Sequence, residues 1–174
     1  MLRAFQGMRY LRAIAVLALV VVAHAQPAAA QDRPKAAFEL AGGALFFPDE
    51  SVVTEGFVGG TGRFYVSPRI SLGPEVSYIQ GDNHNHLMLT GNVTIDLAAP
   101  EHKVTPFVVA GAGLFRSNEA GPGNTSFSHN EGAFTAGGGV RALVGDYVIV
   151  GAEARVGWEL HTRFNGFVGV RFGR

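Results

Sequence analysis

The 174-residue chain has no cysteine. That excludes a disulfide framework, a thiolate metal site and a thiol nucleophile. It also lacks an excess of charge of either sign, with 14 basic residues against 14 acidic ones. A surface that binds a nucleic-acid backbone needs clustered positive charge, so nucleic acid is not an expected partner. Lysine is nearly missing: Lys35 and Lys103 are the two in the sequence. From Ala36 onward no segment keeps an apolar stripe at 3.6-residue spacing, which argues against helices. What the chain does have is glycine, 24 residues spread along its length with no G-X-Y period, so it is not collagen-like. The length suits one domain with a real core.

The N-terminus reads as a targeting segment. Arg3, Arg9 and Arg12 give a positive region, "AIAVLALVVV" (13–22) an apolar one, and "AHA" (23–25) and "AAA" (28–30) small residues for cleavage. The apolar run is short for a membrane span, which takes about 20 residues. We expect a cleavable signal peptide over 1–30, cut after Ala30, and a β-barrel domain over 31–174. The export it implies leaves a secreted, periplasmic or outer-membrane product.

Beyond Ala36 the pattern is a run of roughly ten residues, then a turn signal. Eight runs are legible: 36–46, 54–66, 69–80, 87–98, 104–116, 131–144, 146–158 and 163–173. The links "SP" (67–68), "APEHK" (99–103) and "GD" (145–146) alternate with "FPDESVV" (47–53), "GDNHNH" (81–86), "SNEAGPGNTSFSHN" (117–130) and "ELHT" (159–162), which are mostly longer and more polar. Tight links force antiparallel neighbours. The spacing therefore predicts an all-β, eight-stranded, antiparallel up-and-down barrel, with short turns and both termini at one end.

Side chains of a strand alternate between two faces. In 87–98, Met88, Thr90, Asn92, Thr94 and Asp96 share one face, and Leu87, Leu89, Gly91, Val93, Ile95 and Leu97 the other. Glu153 and Arg155 share theirs with Gly151 and Gly157, opposite Val148, Val150, Ala152, Ala154, Val156 and Trp158. The mid-strand charges collect as Glu39, Glu75, Asp96 and Glu153 against Arg63, Arg141, Arg155 and Arg171. Buried charges are costly unless paired, and this balanced set can pair inside a narrow barrel. The apolar set then faces lipid, with Phe38, Phe46, Phe64, Tyr78, Trp158, Phe164 and Phe172 on the lipid-facing side and in its aromatic girdles. Tyr65, Phe107, Phe115 and Tyr147 also fall near run ends, where girdles are expected. Phe57 falls on the side of Arg63, and the faces of 104–116 stay unassigned. The glycines of "AGGGV" (136–140) are expected to relieve crowding in a small barrel.

Periodicity alone leaves a second reading open, a soluble periplasmic lipocalin-like barrel with the apolar face inward around an apolar ligand. The scarcity of lysine and the placement of the aromatics favour the membrane barrel.

At this point the chain resembles the small outer-membrane β-barrel proteins of the OmpA/OmpX type, the porin-family or outer membrane protein β-barrel domain. "TPFVVAGAGLF" (105–115) is similar to the family's Pro-aromatic strand with its Gly-x-Gly, and "AFTAGGGVRALVGDYVIVGAEARV" (133–156) to its next hairpin. The resemblance runs over the whole mature chain and is sharpest from 104 to 172. It implies an integral outer-membrane protein of a diderm bacterium, in contact with outer-membrane lipid and delivered by the barrel insertion machinery. That machinery reads a final aromatic residue in the family; here Phe172 precedes Gly173 and Arg174.

Motifs for chemistry are sparse. "HNH" (84–86) after Asp82 offers two histidines at i and i+2, but we expect a solvated loop tip and no metal. "SFSHN" (126–130) supplies a serine and a histidine in a Gly-rich loop without the fixed geometry of a nucleophile and its base. "NTS" (124–126) is a glycosylation sequon by spelling alone. Glycine-rich segments with no following helix are not phosphate loops. The expectation is a monomer with no cofactor and no enzymatic activity, its surface ligand unspecified, its role structural or interactive, and its lumen closed by the Arg/Glu/Asp network. A narrow ion-conducting channel is the third reading, disfavoured because eight strands leave an interior that side chains fill.

Overall fold

The computed structural model describes residues 34–47, 53–81, 84–99, 102–120, 126–157 and 161–173. All lie within one compact unit, Asp32–Arg174. Eight antiparallel strands follow in order: β1 (Ala36–Phe47), β2 (Val53–Tyr65), β3 (Ile70–Gln80), β4 (His84–Asp96), β5 (Val104–Ala120), β6 (Ser126–Val144), β7 (Val148–Gly157) and β8 (Thr162–Phe172). Each pairs with its sequence neighbour, and β1 pairs with β8, from Ala36 opposite Phe172 to Phe46 opposite Thr162. The sheet is thus a closed barrel, each strand paired on both sides along most of its length, while Ser126–Phe134 of β6 extend past the end of β7.

Two local features set the tight turns. Gly145 has a φ of 64°, the left-handed region that favours glycine, at the β6–β7 connection. Between β2 and β3, the Ser67 hydroxyl accepts the Ile70 amide at 3.0 Å and Val66 donates to the Ile70 carbonyl at 3.0 Å. These connections, with that between β4 and β5, sit at the mouth that holds both ends of the barrel chain. We call it the terminal mouth, and the opposite one the distal mouth.

Strand lengths correct the expected loops. Residues 84–86 belong to β4, and the stretch expected as one long loop, 117–130, is largely strand: β5 runs to Ala120 and β6 starts at Ser126. The asymmetry between the two mouths therefore lies in the 17-residue and 19-residue strands of the β5–β6 hairpin rather than in loop length. Polar sequence in a hairpin arm mimics a loop in composition, because such an arm has no apolar face to bury.

The faces of the barrel are sorted by the pleat. Leu40, Val58, Leu89, Leu114, Phe134, Val156 and Val168 are exposed on the outside, Leu114 at 61%. The inside holds Glu39, Arg63, Glu75, Asn92, Thr94, Glu153 and Arg155, all buried. Phe107, Val109 and Phe167 join them, forming with Ala37 and Ile149 a small apolar cluster near the terminal mouth.

Candidate functional site

The lumen is where the charged side chains converge. Their strands place them by parity: Glu39 on β1, Arg63 on β2, Glu75 on β3, Asp96 on β4, Arg141 on β6 and Glu153 and Arg155 on β7 all point inward and are buried. The central group has four members. Arg155 donates from Nε to Glu153 Oε1 at 2.6 Å and from Nη2 to Glu153 Oε2 at 2.9 Å, and its Nη2 lies 3.0 Å from Glu75 Oε2. Arg163 Nη2 donates to Glu153 Oε1 at 3.0 Å, and its Nη1 to Glu75 Oε1. Asn92 Nδ2 adds a bond to Glu75 Oε2 at 2.9 Å. Two acids and two bases are thereby interlocked across β3, β7 and β8.

A second group lies toward the terminal mouth. Arg63 donates to Glu39 at 2.9 Å and to the Thr94 hydroxyl at 2.6 Å. Arg141 Nη2 lies 3.1 Å from Asp96 Oδ1, and Arg141 Nη1 donates to the Tyr65 hydroxyl at 3.0 Å. Both guanidiniums lie over the Phe107 ring, whose centroid is 5.3 Å from the Arg63 guanidinium carbon and 4.4 Å from that of Arg141. A cation over an aromatic face is attracted by the ring quadrupole, so a buried phenylalanine fits among charges here. A void of about 10 Å³ remains beside Thr61, Glu75 and Arg155, room for about one water.

Several expectations need correction. Arg171 does not join the network: it sits at the terminal mouth and its Nε donates to the Asp146 carbonyl at 2.8 Å, in an exposed bond. Arg163, which the mid-strand tally omits because it opens its run, is the central base that replaces it. Tyr65 and Phe107, placed by their positions in a girdle, point inward, and Phe115 lies inside against His86. Tyr147 is exposed, as a girdle residue would be. Of the aromatics expected to face lipid, Phe38, Phe64, Tyr78, Phe164 and Phe172 are exposed. Phe46 is half-buried, edge-on to Phe164 with ring centroids 6.0 Å apart. Trp158 and the segment 1–30 lie outside the described residues. The unassigned strand resolves with Phe107 and Val109 inward and Val108 and Leu114 outward.

The β6 glycines have a specific use. A Cβ built on Gly137 would lie 2.9 Å from Arg155 Cγ, and one on Gly139 2.9 Å from the Phe107 ring. The backbone of β7 comes closer still to those positions, through the Ala154 and Ala152 carbonyl oxygens respectively, so the glycines admit the neighbouring strand as well as Arg155 and Phe107.

The distal mouth holds a cluster absent from the expected lumen set. His84 and His86 are not on a loop tip. They lie on the inward side of β4, where His84 pairs with Glu55 of β2 and His86 Nε2 stands 3.9 Å from Glu55 Oε2. His86 stacks on Phe115 with ring centroids 4.8 Å apart. The spacing of "HNH" on a strand was the available signal: residues i and i+2 share a face.

A closed eight-stranded barrel with a charged interior and an apolar exterior is the architecture of an outer-membrane protein, the inverse of a soluble ligand-binding barrel. The family model for the outer membrane protein beta-barrel domain matches residues 13–172, and the chain belongs to that family. The fold is also that of the N-terminal β-barrel domain of Pseudomonas aeruginosa OprF, at a TM-score of 0.60 and 14% identity over 82% of this chain and 100% of that one. Neisserial surface protein A (NspA) matches with a TM-score of 0.63 and 11% identity, covering 80% of this chain and 96% of that one. Ail, the attachment invasion locus protein of Yersinia pestis, matches at 0.53 and 10%, over 80% and 98%. No curated protein matches the sequence.

Proposed function

We propose that this chain is an integral outer-membrane barrel whose role is structural or interactive at the cell surface, with its lumen closed to steady ion flow by the Arg–Glu network. The carrying observation is the Glu75–Arg155–Glu153–Arg163 interlock, which ties β3 to β7 and β8 through the centre of the lumen. Side chains fill the interior of an eight-stranded barrel, and here they also neutralise one another. The apolar outer belt of Leu40, Val58, Leu114 and Val168 supports contact with outer-membrane lipid as the barrel's solvent.

In this reading residues 1–30 are a signal peptide and the mature barrel is a monomer inserted by the barrel assembly machinery. The terminal mouth faces the periplasm, and the distal mouth with the long β5–β6 hairpin faces outward, the usual orientation of such barrels. The likeness to NspA, a surface protein, and Ail, an attachment invasion locus protein, supports a surface role in kind without supplying a ligand. No catalytic activity is part of the proposal.

The test is fractionation of the chain, expressed with its own N-terminus in a diderm host. Recovery in the outer membrane after carbonate washing supports the reading. Recovery as soluble periplasmic protein overturns it. Planar-bilayer recording then separates a closed plug from a channel: sustained single-channel currents from the wild type would replace the plugged barrel with a conducting one.

A further inference from the structure

The buried acids of the lumen are not all treated alike. Glu39, Glu75, Asp96 and Glu153 each have an arginine nitrogen within 3.1 Å. Glu55 is as buried, at 3% exposure, yet the basic groups beside its carboxylate among the described residues are two histidines. A histidine, unlike an arginine, carries no permanent charge. A buried carboxylate with no fixed cation is costly. In addition, Glu55 Oε2 accepts no hydrogen bond among the described residues.

The register explains how these three groups meet. Gly81 follows β3 directly, and its amide donates to the His84 carbonyl at 3.1 Å. In the row that crosses from β2 to β4, Gly81 therefore stands between Glu55 and His84 without a side chain. A Cβ there would lie 2.5 Å from His84 Nε2 and 2.7 Å from Glu55 Oε1. Its absence lets the carboxylate reach across one strand to the imidazole. His86 approaches the other carboxylate oxygen from the next inward position of β4, its ring held between His84, at 4.8 Å between centroids, and Phe115.

We propose that Glu55, His84 and His86 form a binding site for a divalent transition-metal ion of the zinc class at the distal mouth. The donor atoms, one per residue, lie within 4.8 Å of one another. Tetrahedral zinc with bonds of about 2.0–2.1 Å needs donors about 3.3 Å apart, so the 3.9 Å between His86 and Glu55 has to close slightly and the shorter His84–Glu55 contact has to open. Two imidazoles and one carboxylate are the donor set that suits zinc, and three protein ligands leave a fourth position open. His84, whose side chain is 32% exposed, is the member that gives the ion access from the mouth, whereas His86 at 12% and Glu55 at 3% form the floor. The bound cation supplies a permanent positive charge beside Glu55. It also fastens β2 to β4 across a row where the intervening residue, Gly81, has no side chain to offer.

The site stands on barrel geometry and does not depend on which compartment the distal mouth faces. The test uses untagged protein purified in detergent, since a histidine tag would itself bind zinc. Zinc chloride is titrated by calorimetry, and cobalt is substituted to read the intense visible absorption of four-coordinate Co(II). The expected result is one ion per chain, with affinity falling about tenfold or more in H84A, in H86A and in E55Q. G81A is expected to weaken binding by crowding the two donors, whereas H102A at the other mouth binds like the wild type. Circular dichroism establishes that each variant keeps its strands; should E55Q fail to fold, the two histidine variants decide. A wild type that takes up no zinc overturns the proposal. So does a double H84A/H86A variant that binds as the wild type does.

Discussion

Arg155 and Arg163 stand directly opposite each other on β7 and β8, two like charges at one register position. Such a pair repels when isolated. Here Glu153 and Glu75 each contact both guanidiniums, so the repulsive pair becomes the base of a four-membered ring of alternating charge. The ring joins Glu75 to Arg163, 88 positions away in sequence, and should make the lumen sensitive to single substitutions.

Glu153→Leu should destabilise the barrel by about 3–5 kcal/mol, the cost of leaving a buried charge without its partner. Both Arg155 and Arg163 then compete for Glu75. The unfolding midpoint in urea, with refolding in lipid vesicles to establish reversibility, measures it; an unchanged midpoint would count against the interlock.

Arg163 and Arg171 lie on the same strand with the same parity, yet their substitution should differ in effect. Arg163→Gln strips buried Glu75 and Glu153 of a shared partner and should cost several kcal/mol, on the order of that for Glu153→Leu. Arg171→Gln removes an exposed bond to a backbone carbonyl and should fall within about 0.5 kcal/mol of the wild type. Equal effects at both positions would refute the assignment of Arg163 to the network and Arg171 to the rim.

Leu40 lies mid-strand on the outside of β1 and is 56% exposed. In a bilayer, Leu40→Arg should cost about 2–4 kcal/mol, the penalty for a cation near the midplane of a lipid-facing strand. The same substitution on a water-facing surface would be nearly neutral. Comparing unfolding of the variant and the wild type in vesicles decides which solvent meets this face.

Phe107→Ala should lower stability by about 3–5 kcal/mol, as expected for a large buried side chain. It also removes the ring that both Arg63 and Arg141 contact. Planar-bilayer recording should then show current bursts that the wild type lacks. A destabilised but equally silent variant would place the lumen's seal in the Glu75–Arg155 ring alone.

The sequence by itself determined that eight runs alternate in period two and that a continuous apolar face opposes a face of small and charged residues. It could do so because the pleat forces side chains to opposite sides whatever the surroundings. Parity within their own strands groups Glu39, Glu75, Asp96, Glu153 and Arg155, all of which are buried. Only the tertiary structure decided which acid meets which base, since partners such as Glu75 and Arg163 are brought together by barrel closure and not by local spacing. It decided the face of β5, where apolar residues occupy both sides and the pattern carries no contrast. The inward turn of Phe107 depends on two guanidiniums and on the space above Gly139, none of which neighbours it in sequence. The "HNH" motif was legible as two histidines at i and i+2 and read as a loop tip; the fold put them on one strand face, with Glu55 of β2 within reach across Gly81.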